Sequence, residues 1–116
     1  MEPNWKPLEE KLGPQRCTGF MYMGRLNGIN LYKHGIARAY LNLDDAGQCF
    51  VYRETRFERA DFATELSDLE SRLAQLGETL ETVYDDSYIA RKQESLRDAG
   101  ISLVRIEVQP EDRSIN

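Results

Sequence analysis

The pair Asn27-Gly28 constrains this chain more than any other two residues. It stands between CTGFMYMGRL and INLY, two runs rich in aromatic, aliphatic and methionine side chains. Asn-Gly between such runs is the strongest short hairpin signal, because a two-residue turn of matching twist needs φ > 0 at both positions. Two more breaks follow, at Lys33-His34-Gly35 and at Asp44-Asp45-Ala46-Gly47, separating INLY, ARAYLNL and QCFVYRE. Four short runs joined by three tight turns predict an antiparallel meander over residues 17–54.

Side chains alternate along a strand, so turn length decides which residues share a face. The Asn27-Gly28 turn sets Leu26 opposite Ile29 and Gly24 opposite Leu31. A three-residue turn at 33–35 keeps Ile29 and Leu31 with Leu41 and Leu43. One face then collects Phe20, Tyr22, Leu26, Ile29, Leu31, Ala39, Leu41, Leu43, Phe50 and Tyr52, an expected core. The other collects a candidate interaction surface of Met21, Met23, Tyr32, Arg38, Tyr40, Val51 and Arg53, with Asn30 and Cys49 beside them. A two-residue turn at His34-Gly35 would swap the faces of the first two strands relative to the next two. The three-residue turn is preferred because it gathers the aliphatic residues together.

The flanks are helical. Asn4 to Leu12 forms a short N-terminal helix with Trp5, Leu8 and Leu12 on one side, stopped by Gly13-Pro14. Over 61–76, Phe62, Leu66, Leu69, Leu73 and Leu76 recur at helical spacing, with Asp61 as cap and Gly77 as stop. A second helix is expected over 86–99. ISLVRIEV then alternates as a strand over 101–108 that returns to the sheet, and 109–116 reads as a loose tail. The expected fold is therefore α+β, in one domain spanning 1–116.

Net charge is −5 but unevenly spread. Residues 14–59 carry seven basic and four acidic groups, whereas residues 60–100 carry four basic and ten acidic. The acidic stretch would steer the chain toward a basic partner, or toward the positive sheet of a second copy. No apolar run approaches the roughly 20 residues of a membrane span. Met1 to Gly13 also lacks the apolar segment of a secretory signal, so the cytoplasm is the expected compartment.

Reactive chemistry has little to build on. His34 stands alone, and Cys17 and Cys49 lack CxxC spacing, so neither zinc nor a redox pair is expected. MGRLNG lacks phosphate-loop spacing. Asp44-Asp45 and Asp85-Asp86 fit a turn and a helix start better than acid–base catalysis. No catalytic residue, metal site or cofactor is expected.

The candidate surface has three readings. It is a further part of the core, covered by a helix; or a protein interface, most simply a homodimer; or a nucleic-acid surface using Arg38, Arg53, Tyr32 and Tyr40. Tyrosine and arginine recur at binding hot spots, whereas a net negative chain disfavours phosphate binding. The function expected is a small non-enzymatic protein-interaction or assembly module, with nucleic-acid binding as the alternative and a small enzyme third.

Overall fold

The computed structural model describes residues 2–98. In chain order these are helix α1 (Lys6–Leu12), a 3₁₀ turn (Pro14–Cys17), strands β1 (Phe20–Leu26), β2 (Ile29–His34), β3 (Tyr40–Asp44), β4 (Cys49–Arg53) and β5 (Arg56–Ala60), then helices α2 (Phe62–Gln75) and α3 (Asp86–Asp98). The five strands pair antiparallel in sequence order, a meander that places the class as α+β. The strand expected over 101–108 and the tail over 109–116 lie outside the described residues.

Asn27 and Gly28 take φ of 54° and 78°, and the turn pairs Leu26 with Ile29 and Gly24 with Leu31. The register then shifts between Tyr22 and Gly24, leaving Met23 as a bulge. Beyond it Tyr22 faces Tyr32 and Phe20 faces His34. The bulge separates Phe20 and Tyr22 from Leu26, which the unbroken alternation had put on one face.

The second turn overturns the expected faces. β2 runs through His34, whose N–H donates to the Ala39 carbonyl at 2.8 Å, so the loop is four residues, 35–38. His34 holds that loop itself. Its Nδ1 accepts the N–H groups of Ile36 and Ala37 at 3.1 and 3.2 Å. An even-numbered loop brings Tyr32 opposite Leu41 and Leu31 opposite Asn42. Leu31 and Leu41 therefore point to opposite sides, the relation that the shorter His34-Gly35 turn would also have given.

A fifth strand, β5, was not expected from the sequence. It enters through a two-residue turn, Glu54-Thr55, that carries neither glycine nor asparagine; Glu54 itself takes φ 55°. Both faces of the sheet are consequently apolar. On one, Phe20, Tyr32, Leu41, Leu43 and Cys49 pack with Leu8 and Leu12 of α1 and Leu69 and Leu73 of α2. On the other, Met21, Met23, Ile29 and Leu31 cluster with Tyr40, Phe50 and Phe57.

α2 begins where expected, with Asp61 accepting the Thr64 N–H at 3.0 Å. It ends at Gln75, before Gly77 at φ 74°, and leaves Leu76 exposed rather than in the core stripe. α1 starts at Lys6 behind Trp5, not at Asn4, although Asn4 Oδ1 still accepts the Lys6 N–H at 3.4 Å. Residues 79–84 join α2 to α3 without helix or strand.

Candidate interaction surface

The side chains of the second cluster belong to the sheet, with no described helix contributing to it. Toward β4 and β5 this side opens into a groove of about 460 Å³, lined by Leu26, Leu31, Tyr40, Asn42, Val51, Tyr52 and Phe57. Leu26 and Tyr52 line it with 50% and 56% of their surface in solvent, so the groove carries exposed apolar surface in one place. Tyr52 meets Phe57 edge to face at 4.9 Å between ring centres. Lys33 lies over the Tyr40 ring at 5.7 Å, and burial raises the Tyr40 phenol above its ordinary value.

The residues expected to form one surface divide. Met21, Met23 and Tyr40 share the apolar cluster, and Val51 lines the same groove as Tyr40. Tyr32 does not join them. It is fully buried on the helical side, its hydroxyl donating to the Asn4 carbonyl at 2.5 Å and its ring 5.6 Å from Trp5. Burial drives its phenol well above the ordinary value. Arg38 leaves the strands for the β2–β3 loop, at φ 58°. Arg53 ends β4, exposed, 4.0 Å from the Glu58 carboxylate. Tyr32, one of the four residues of the nucleic-acid reading, is thus enclosed beside Trp5 rather than presented with Tyr40.

Leu26, Leu31, Tyr52 and Phe57 were missed as groove residues. Leu26 and Leu31 were assigned to the core face by the loop after His34; Tyr52, with Phe50, by an even-numbered β3–β4 turn, where Asp44 in fact bonds Gln48 across a three-residue loop and Leu43 faces Cys49; Phe57 was overlooked with its strand. The alternation Arg56-Phe57-Glu58-Arg59 is the signal that would have revealed it.

Elsewhere the buried polar groups are structural. Asn30 is completely buried. Its Oδ1 accepts from the Tyr22 hydroxyl at 2.8 Å and from Arg25 at 3.2 Å, and its Nδ2 donates to the Leu43 carbonyl and to Asp45, each at 3.1 Å. Arg25 also grips Asp45 through two bonds of 2.8 and 2.9 Å. These bonds from Arg25, then Asn30, hold the Asp45 carboxyl down at about 2.

His34 is likewise enclosed, between the rings of Phe20 and Tyr84 at 5.0 and 5.5 Å. A Cβ on Gly19 would come within 2.6 Å of its Nε2. Nε2 has no hydrogen-bond partner among the described residues. Burial lowers His34 from 6.5 to about 4, against the smaller pull of the Glu78 carboxylate.

Burial alone would raise Glu78. Its bonds from Lys92 and from Tyr88 (2.6 Å) nevertheless leave it below the ordinary value. Burial pushes the Cys17 and Cys49 thiols up to about 11, which removes thiolate character at neutral pH. Among the described residues, no group of three or more His, Cys, Asp or Glu is placed to hold a metal ion.

The chain matches no known family model. Searches of curated proteins and of solved structures likewise find no match. Among the described residues, no helix is long and apolar enough to cross a membrane.

Proposed function

We propose that this chain is a non-enzymatic association module that binds protein with the sheet face that no described helix covers. One observation carries the reading. The groove beside Tyr40, Val51 and Phe57 is rimmed by two large apolar side chains that remain half in water. Burying the half of each such residue still in water is worth on the order of 1 kcal/mol. Aromatic residues at the centre of a shallow concavity also supply contact area at low entropic cost. The two free, high-pKa cysteines fit work in the reducing cytoplasm.

A photo-reactive benzoylphenylalanine in place of Tyr52, irradiated in cells producing the full chain, tests this. The expected product is one dominant intermolecular adduct, identified by mass spectrometry and lost when Phe57→Ser is added. Adducts confined within the chain would refute the reading.

A further inference from the structure

We propose that the chain's partner is a second copy of itself, joined edge to edge through β5 in antiparallel register centred on Phe57, so that the two groove-bearing faces lie side by side. The proposal rests on the association reading above and adds to it a partner and a register.

The two described edges of the sheet differ. β1 carries the Met23 bulge, which breaks the run of evenly spaced backbone groups that another strand would need. β5 pairs with β4 through five consecutive positions without interruption, and no other described strand pairs with it. In an antiparallel ladder, bonded and non-bonded pairs alternate. Counted from Arg53 and Arg56, the pair that closes the two-residue turn, Phe57 and Arg59 direct their N–H and C=O groups away from β4. Among the described residues, those groups are the unpaired half-ladder.

Symmetry narrows the choice of register. Opposed residues in a sheet share a face, so a two-fold axis through the sheet must pass at a residue pair and not between pairs. Centring on Glu58 sets two carboxylates against each other. Centring on Arg59 does the same with two guanidinium groups. Such like-charge cross-strand pairs are unfavourable.

Centring on Phe57 sets Phe57 against the partner's Phe57 and Arg56 against the partner's Glu58, twice by symmetry. Within one chain Arg53 and Arg56 already oppose each other, with Glu58 at 4.0 and 3.5 Å from them. The partner's Glu58 would supply a second carboxylate to this arginine-rich corner. The Phe57 pair would also join the two Tyr52–Phe57 stacks into one apolar strip across the dimer.

Sedimentation equilibrium on the full chain tests the register. The wild type should dimerise. Arg56→Glu and Glu58→Arg should each weaken self-association by about tenfold or more, because either one creates two like-charge pairs. The double variant Arg56→Glu/Glu58→Arg should recover it. Equal mixtures of the two single variants should form a heterodimer, since their charges complement at both positions. Circular dichroism and melting temperature establish that each variant is folded.

A wild type that stays monomeric at millimolar concentration would overturn the proposal, as would a dimer indifferent to all four arms. If the wild type is monomeric yet the position-52 adduct forms with a different protein, the homodimer falls and the association reading stands. If neither association occurs, both fall.

Discussion

At the residue scale, His34 shows how one side chain can decide a fold. Its neutral Nδ1 accepts two backbone N–H groups and thereby fixes the loop at four residues. Turn composition alone cannot report that, since Lys33-His34-Gly35 is compatible with two, three or four residues. The same side chain should make stability depend on pH. Its folded pKa is lowered to about 4 from 6.5, so the unfolded chain takes up a proton first on acidification. Stability is complete above pH 6.5 and is lost as pH falls toward 4, by roughly 3 kcal/mol in total for this group. Urea unfolding at pH 7 and at pH 4.5 measures most of that loss. Equal midpoints would contradict the neutral, enclosed imidazole.

At the element scale, the sequence was informative wherever a turn needed a residue tolerant of positive φ. Asn27-Gly28 gave both the hairpin and its register. Asp61 and Gly77 gave both limits of α2 to within two residues. It was silent where an ordinary residue accepted the strain, as Glu54 does at φ 55°, and β5 was missed for that reason. The Met23 bulge left no signature beyond the neighbouring Gly24. The loop after His34 moved Tyr32 into the core and Leu31 out to the groove side, and the bulge kept Phe20 and Tyr22 with Tyr32.

What ties the first hairpin to the β3–β4 turn is the Asn30 network. Asn30→Ala strands the Tyr22 hydroxyl and the Leu43 carbonyl in a buried setting, at an expected cost of about 2–3 kcal/mol in denaturant unfolding. Asp45→Ala, which removes a largely exposed ion pair, should cost about 1 kcal/mol or less. The reverse order would mean that Arg25 and Asp45, not Asn30, join the elements.

At the scale of the whole molecule, the meander carries more apolar surface than its two core-packed helices cover. α1 and α2 serve one face. The candidate surface was legible in kind, as an apolar, aromatic sheet face with arginines at its margin. Its membership was not, because a face inverts whenever a loop gains or loses one residue.

The most direct measurement follows backbone amides by NMR as the protein is diluted from millimolar to micromolar concentration. On dilution the Phe57 and Arg59 amides should shift and lose protection from hydrogen exchange, along with a shift at Tyr52, while Leu69 and Leu73 of α2 stay unchanged. Dilution shifts confined to α1 and α2, with Phe57 and Arg59 unprotected at every concentration, would contradict it.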